Sequence, residues 1–435
     1  MFQKFTGKAV GKNVAIAFVM AGLTLMVIFT SPQPALAANA YEATIRVSTT
    51  PLKYADLFRQ LTEVFEAKHP EIKIKLETPA GNQADAIQLA LRQGVVKDLP
   101  DVSFQGLNYI KPLADHGYVI PLDSFIAGDP GWSGDIYSSS VTSVSMVGKK
   151  TMGLGAAFTV PIIYYNADLV AEAQNGDPNL PGNWEAILGL AKKIQAAHPD
   201  VLGAYTRYNA FIGQGHIMSM GGRIGNEDGS IATLTEPQAL EAIRLIAEFG
   251  KAGQGALNLS TSQARQQFVS GKLGILLDSA SALKNYSKKS NGIFTLGTAH
   301  FPFTEKSTMP VFGLVVLMHT DNPERQKAAW EFMKFVTGPQ GQTIIGRQTG
   351  YIPANQVAVR RSDLLGDYYK TLPIFNAALE TLSIAVPYYV FQGDGSSARV
   401  NRLFEDVLRL AVTGQLSPGE TAERLNNKIT AIIPR

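Results

Sequence analysis

The chain has 435 residues, a formal net charge of +3, 45% hydrophobic residues and no cysteine. The lack of cysteine excludes disulfides, thiolate metal sites, a cysteine nucleophile and a lipid-modified N-terminal cysteine. Removing Lys4, Lys8 and Lys12 from the 39 basic residues leaves 36, equal to the 36 acidic residues, so neither nucleic acid nor an anionic membrane is expected as the main partner.

The first residues predict a secretory signal peptide, residues 1–37. The three lysines form a positive n-region, residues 14–29 are almost wholly apolar, and Ser31–Pro34 interrupts the segment. Small residues in Ala35–Ala37 favour cleavage after Ala37, with Ala40 as the alternative. A retained anchor helix competes with this interpretation, but the apolar run is shorter than the roughly 20 residues that span a bilayer. We therefore expect a soluble protein in the bacterial periplasm.

The segment after the leader alternates short apolar strands with amphipathic helices. Strands are predicted at Ile45–Val47, Ile72–Leu76 and Val102–Phe104, with helices over residues 54–68 and 84–93 between them. A strand, helix and strand in succession imply parallel strands joined by right-handed crossovers. The N-terminal region is therefore predicted to be an α/β unit.

The same alternation continues to the C-terminus. A strand is predicted at Ile162–Tyr165, Asn183 is placed to cap a helix, and Thr235–Pro237 to open another. Two later helices are predicted over residues 323–336 and 397–410. There is no internal repeat, and a chain of this length and pattern predicts two α/β domains.

Five strings, taken in chain order, resemble the extracellular solute-binding proteins (family 1) of ABC transporters, which include maltodextrin- and glycerol-3-phosphate-binding proteins. Each string alone is weak, and their shared order carries the resemblance. They are Pro161–Leu169, Trp184 with Ala191–Ile194, Phe268–Ile275, Ala328–Val336 and Gly350–Pro353.

The resemblance implies a periplasmic binding protein fold: a discontinuous pair of α/β domains with a cleft between two lobes. Lobe 1 is expected to comprise residues 38–155 and 300–350, and lobe 2 residues 156–299 and 351–435. Glycine and proline punctuate apolar segments at the places where the chain is expected to cross between lobes. These crossings are Gly153–Thr159, Ala299–Phe303 and Gln348–Ala354.

Residues that follow the predicted strands are the candidates for ligand contact, because ligands of such folds meet loops at the carboxyl ends of strands. The resemblance places a ligand-stacking aromatic residue within Tyr205–Phe211 and a small-residue turn at Asp278–Ser281. For each position, a loop hydrogen bond or core packing is the alternative. The candidates are Thr49, Gln105, Asn108, Tyr208, Asn209, Ser279, Ser281, Phe312, Gly313 and Tyr351.

A glycine-rich turn, Gln392–Arg399, runs into the last predicted helix. Free backbone N–H groups at a helix N-terminus attract an anion or a hydroxyl oxygen, and an arginine in the first turn adds a planar set of donors. Asp394 and Arg399 are therefore candidates, and Arg399 matches by spacing a ligand-binding arginine of glycerol-3-phosphate-binding relatives. A salt bridge is the alternative for Arg399. The turn also fits G-x-G-x-x-A, but no strand unit follows it.

The expected function is a solute-binding component of an ABC importer that delivers a sugar or polyol to permease subunits. Sugar-binding relatives usually stack sugar rings on tryptophans, but only Trp132 lies outside structural helix positions here, so tyrosine and phenylalanine would have to take that role. Glycerol-3-phosphate or a glycerophosphodiester is an alternative ligand. An exported carboxylate-pair glycosidase and a structural or adhesive protein are alternative functions. No GxSxG, P-loop or HExxH motif occurs, so no catalytic residue, metal or cofactor is expected. The protein is expected to be a monomer.

Overall fold

The computed structural model describes residues 42–393 and 396–434. The expected signal peptide, both of its cleavage positions and the candidate residue Asp394 lie outside the described residues. Within those two ranges, every helix is too short or too polar to cross a membrane.

The N-terminal elements form most of a first β-sheet and the helices that cover it. β1 pairs in parallel with both β2 and β3, as the alternation of strands and helices predicts. β4 and β5 make a separate hairpin. The strands are β1 Ala43–Ser48, β2 Ile72–Leu76, β3 Val102–Gly106, β4 Met146–Val147, β5 Lys150–Thr151 and β6 Leu154–Thr159. The helices are α1 Ala55–Lys68, α2 Gln83–Val95, α3 Ile110–Asp115, α4 Asp123–Gly128 and α5 Ser140–Ser143.

The central elements form a second, smaller sheet. The Asn183 side chain accepts a hydrogen bond from the backbone N–H of Ala186, and Pro237 begins a helix, so both predicted helix starts are confirmed. The strands are β7 Pro161–Asn166, β8 Leu202–Thr206, β9 Leu273–Ser279 and β10 Leu296–Ala299. The helices are α6 Ala167–Ala173, α7 Trp184–Ala197, α8 Ala210–Ser219, α9 Pro237–Phe249, α10 Gly255–Leu257, α11 Thr261–Val269 and α12 Leu283–Ser290.

The C-terminal third adds strands to the first sheet and helices to both. The two predicted helices in this region are confirmed, each with ends shifted by no more than a few residues. The strands are β11 Met309–Met318, β12 Ile352–Pro353 and β13 Ala385–Pro387. The helices are α13 Pro323–Thr337, α14 Pro339–Gln348, α15 Gln356–Arg360, α16 Asp367–Lys370, α17 Asn376–Thr381, α18 Ser396–Val412 and α19 Pro418–Thr430.

The chain passes repeatedly between the two sheets. The first sheet has the order β12-β6-β11-β3-β1-β2, with β13 beside β11, and the second has the order β10-β7-β9-β8. β6 leads directly into β7 through Val160, and the connection from β10 to β11 returns to the first sheet. Both sheets are mixed, because β11 runs antiparallel to β3 and β6, and β7 antiparallel to β9 and β10.

The C-terminal segment contributes to both sheets. β12 and β13 hydrogen-bond to β6 and β11 of the first sheet, whereas α18 and α19 pack against α8 and α9 beside the second. The expected lobe boundaries therefore remain a prediction, and two short strands of the segment assigned to lobe 2 belong to the first sheet.

Gly313 allows β11 to pass closely beside β6. Its φ of +150° is a backbone conformation that only glycine adopts readily, and a Cβ at this position would collide with the carbonyl oxygen of Ala157. The register between the two strands shifts just beyond it, between Leu314 and Val315. This irregularity lies next to Phe312, at the edge of the first sheet that faces the second.

Candidate ligand-binding cavity

A cavity of about 560 Å³ lies where the carboxyl ends of strands from both sheets come together. It is lined by loops after β1, β6, β8 and β9, by the first turn of α2, and by α11 and α18. The lining residues are Pro51, Lys53, Asn82, Gln83, Thr159, Arg207, Asn209, Ala210, Phe211, Arg265, Ser279, Ser281, Phe312, Tyr351, Tyr388, Asn401, Arg402 and Glu405. A cavity of about 530 Å³ beside α7 and α9 takes no lining from the first sheet.

A cluster of hydroxyl groups joins the two sheets at the base of the cavity. The Thr159 and Ser279 hydroxyl oxygens are 2.6 Å apart, and those of Ser279 and Ser281 are 2.8 Å apart. The backbone N–H of Ser281 donates to the Thr159 hydroxyl over 2.9 Å. The buried Tyr164 hydroxyl donates to the Ser279 carbonyl oxygen. These bonds tie the end of β6 to the end of β9 and hold small hydroxyl side chains at the cavity wall.

Three aromatic rings form an apolar wall. The Phe312 ring centroid lies 5.7 Å from that of Phe211 and 5.4 Å from that of Tyr388, in a T-shaped arrangement with Tyr388. The Tyr388 hydroxyl donates to the Asn401 side-chain oxygen over 2.6 Å, and burial raises the pKa of this tyrosine, so it stays neutral. Rings with an adjoining amide can cover the apolar face of a sugar and bind its hydroxyl groups.

A buried carboxylate orients two arginines of the cavity. The Asp278 side chain is fully buried, and it accepts hydrogen bonds from Arg207 over 2.5 Å and from the Arg265 Nε over 2.7 Å. The Tyr286 hydroxyl and the backbone N–H of Ser279 donate to the same carboxylate. Burial acts to raise the pKa of Asp278, but the charges of Arg207 and Arg265 outweigh it and hold the pKa well below the usual 3.8. Asp278 is therefore ionised and fixes both guanidinium groups.

Lys53 adds a third cation beside this group, from the first-sheet side. Its ammonium lies 4.6 Å from the Tyr54 ring centroid, and desolvation, together with the charge of Arg265, lowers its pKa. Among the described residues, Lys53 makes no hydrogen bond or ion pair. Arg402 and Glu405 are exposed on one face of α18, at another part of the lining.

Polar side chains beneath the first-sheet wall have hydrogen-bonding capacity that the described structure does not use. Neither amide atom of Asn108 has a partner, nor do the Gln105 Oε1 and the Thr49 hydroxyl. The Asn108 and Gln83 amide oxygens both lie beside Gly106, and Gln83 lines the cavity while donating to the Gly313 carbonyl oxygen over 3.2 Å. Buried polar groups without partners are costly, so water or a ligand is expected to satisfy some of them.

The structure brings five of the twelve candidate residues to the cavity wall. Both hydroxyl candidates of the small-residue turn at the end of β9 are among them. The five are Asn209, Ser279, Ser281, Phe312 and Tyr351.

The remaining described candidates lie elsewhere. Thr49, Gln105 and Asn108 are buried beneath the first-sheet wall, and Gly313 has its backbone role in β11. Tyr208 is also buried, and its hydroxyl donates to the Leu259 carbonyl oxygen over 2.8 Å. The aromatic residue of this segment that faces the cavity is instead Phe211, three residues later in α8.

Arg399 and Trp132 do not line the cavity. Arg399 is exposed and lines a different cavity of about 460 Å³ between α18 and α19. Arg402, three residues later, lines both cavities. Trp132 stacks on Tyr137 with ring centroids 4.0 Å apart and packs against Trp330. Trp184 packs against Phe301, so no tryptophan is among the cavity residues that the structure describes.

Several cavity residues were not among the twelve candidates chosen from the sequence. Lys53 and Arg207 lie in segments that follow strands, and a charged residue in such a segment could have indicated ligand contact. Asn401, Arg402 and Glu405 come from α18, where helical spacing groups them but does not show which way that group faces. In the described parts of the chain there is no cluster of three or more residues suited to hold a metal ion.

The sequence model of the bacterial extracellular solute-binding protein family matches residues 60–376. The chain belongs to this family. The resemblance inferred from the five strings is therefore confirmed.

Two relatives of this solute-binding protein cover most of its length. A binding protein of Brucella abortus is 24% identical over 392 residues, which cover 85% of this chain and 86% of that protein. The sn-glycerol-3-phosphate-binding periplasmic protein of Agrobacterium fabrum is 25% identical over 343 residues, covering 74% of this chain and 72% of the relative.

A solved structure with the same fold is an ABC substrate-binding protein of Listeria monocytogenes in complex with cycloalternan. Its TM-score is 0.77 at 17% identity, and the match covers 90% of this chain and 98% of that one. The likeness confirms the predicted two-lobed α/β binding-protein fold.

Proposed function

We propose that this solute-binding protein captures a sugar or polyol in the cavity and delivers it to the permease of an ABC importer. The observation that carries the proposal is a cavity lined from both sheets by hydroxyl, amide and aromatic side chains. Such linings bind hydroxylated molecules through hydrogen bonds at their edges and through apolar contact with their ring faces.

Capture depends on movement of the two sheets relative to each other. The links between them are short, as at Val160, where β6 becomes β7. A ligand that contacts Phe312 on one side and Asn209 on the other stabilises the closed arrangement, since its contacts with both walls form only there. The closed shape then signals occupancy to the permease.

The ligand leaves unchanged in this proposal. A glycosidase needs two free carboxyl groups about 5 to 10 Å apart. Among the described lining residues Glu405 is the only carboxylate, and the buried Asp278 nearby is occupied by Arg207 and Arg265. These features favour binding over hydrolysis.

We place the protein in the periplasm as a monomer, exported by the predicted signal peptide. Membership of an extracellular family supports export. The Agrobacterium fabrum relative, which is named as periplasmic, supports the compartment, and the Listeria monocytogenes structure, named as an ABC substrate-binding protein, supports the link to an importer.

Thermal unfolding in the presence of a ligand panel tests the proposal. The panel contains maltose, trehalose, glucose, sorbitol, glycerol and cycloalternan, with sn-glycerol 3-phosphate added because of the named relative. A ligand at 100 times its Kd stabilises the folded state by about 2.7 kcal/mol, so a clear rise in Tm is expected for at least one compound. Small-angle scattering with that compound should show a smaller radius of gyration.

Two results would contradict the proposal. One is a melting temperature that no panel member changes. The other is chemical conversion of a bound compound, followed by chromatography after long incubation with the purified protein. Recovery of the intact compound supports capture and release.

A further inference from the structure

The charges around the cavity are unbalanced. Lys53, Arg207 and Arg265 all line the cavity, and the only carboxylate paired with any of them in the described structure is that of Asp278, which binds both arginines. This group therefore carries a net charge of about +2 while it borders the space available to a ligand. Elsewhere in the lining, Arg402 is accompanied by Glu405, which offsets its charge.

The Asp278 carboxylate cannot form ion pairs with all three cations. Asp278 already accepts hydrogen bonds from both arginines, from Tyr286 and from a backbone N–H, so its oxygens have no room for the Lys53 ammonium. The Arg207 Nε is buried and has no partner among the described residues. Donor groups without a partner in the described structure therefore remain on both walls of the cavity: the Lys53 ammonium and the Arg207 Nε–H.

Lys53 and the two arginines come from opposite sides of the cavity. Lys53 follows β1 of the first sheet, whereas Arg207 follows β8 and Arg265 lies on α11 beside β9 of the second. Desolvation, and after it repulsion by the charge of Arg265, lowers the pKa of the Lys53 ammonium. An anion between them would relieve this repulsion and link the two walls.

We propose that the solute captured here is acidic, and that its carboxylate or phosphate group is bound between Lys53, Arg207 and Arg265. The inference rests on the proposed function, since it concerns the same cavity and narrows the ligand to an anionic carbohydrate or polyol. The aromatic wall and Asn401 then receive the hydroxylated remainder of the ligand. The bridging anion favours closure, because only the closed arrangement brings all three cations to it.

Matched neutral and acidic compounds test the proposal by calorimetry. One series is glucose, glucuronate and glucose 6-phosphate, and the other is glycerol, glycerate and glycerol 3-phosphate, so each arm separates carboxylate from phosphate. At least one acidic member should bind at least about tenfold more tightly than its neutral partner, because a charge-assisted hydrogen bond usually contributes that much affinity.

Three variants localise the effect. Lys53→Met removes the charge from an exposed side chain without breaking an ion pair, and it should weaken the acidic ligand about tenfold or more and the neutral one much less. Arg402→Met removes a charge from another part of the lining and should have a smaller effect. Lys327→Met, on the exposed face of α13 outside the cavity, should have none.

The outcomes separate this inference from the proposed function. If a neutral compound binds as tightly as its acidic partners, the inference is overturned and the proposed function stands. If an acidic compound binds best but Lys53→Met and Arg402→Met behave alike, the assignment of the anion to Lys53, Arg207 and Arg265 is wrong. If no compound of either panel binds, the proposed function fails and the inference fails with it.

Discussion

Replacement of Asp278 by asparagine removes the charge that holds two arginines in place. The side chain is fully buried, whereas those of Arg207 and Arg265 are 17% and 40% exposed. Arg265 can turn towards water and recover part of its hydration, but Arg207 is largely buried and loses its only ion-pair partner among the described residues. Asparagine also places an amide N–H₂ where one oxygen accepts from Arg265 and Tyr286.

These losses set the expected magnitude for Asp278→Asn. Removing one partner of a buried ion pair costs about 3 to 5 kcal/mol of unfolding free energy, and the partial exposure of Arg265 favours the lower end. Urea unfolding followed by circular dichroism measures this quantity at neutral pH. Asp363→Asn is the matched control, because Asp363 pairs with Arg361 at the exposed surface and its removal should leave the unfolding midpoint unchanged.

The pH dependence provides a second check on Asp278. Burial opposes ionisation, but the charges of Arg207 and Arg265 keep its pKa in the folded protein below the usual 3.8. The stabilisation is therefore present above the pKa of the unfolded chain, about 4, and is lost as the pH falls towards the folded value. The difference between wild type and Asp278→Asn should shrink between about pH 5 and about pH 3. A difference below about 1 kcal/mol at neutral pH would refute the reasoning.

Three further predictions concern other parts of the molecule. Gly313→Ala should lower the unfolding free energy by about 2 kcal/mol or more in urea, because φ is +150° there, whereas Gly182→Ala has open space and should be nearly neutral. Burial lowers the pKa of His216 to about 3 and that of His319 to about 4. As the pH drops below about 6.5, the unfolding free energy should therefore decrease by about 1.4 kcal/mol per pH unit for each histidine. His216→Gln should reduce this slope, and an unchanged slope would contradict the assignment. Phe312→Ala should weaken ligand binding about tenfold in calorimetry by removing the central ring of the aromatic wall, and an unaltered Kd would exclude ring contact.

Local patterns predicted the elements well because their signals lie within a few residues. The side chain of Asn183 caps α7 as its position before Trp184 indicated, and Pro237 begins α9. The strands β1 to β3 pair in parallel as the βαβ alternation required. The antiparallel insertion of β11 between β3 and β6 was not predictable, since it joins residues far apart in the chain.

The sequence predicted some of the residues that line the cavity, because those residues lie at or near the ends of predicted strands. Ser279 ends β9, and Ser281 and Asn209 lie two and three residues after the ends of β9 and β8, so the rule that ligands meet the carboxyl ends of strands identified them. The same rule selected Thr49, which the structure buries beneath the wall. Arg265 lies in the middle of α11, thirteen residues before the Asp278 that orients it, and no local pattern indicates that contact.

The sequence by itself determined the α/β class, the order of strands and helices, the family and the position of the small polar turns, because these depend on periodicity and on local motifs. Only the tertiary structure decided which polar and charged residues face one another. Lys53, Arg207 and Arg265 are brought together by the passage of the chain between two sheets, and Arg402 rather than Arg399 reaches the cavity through the rotation of α18. Long-range packing sets both arrangements, and no short-range pattern encodes it.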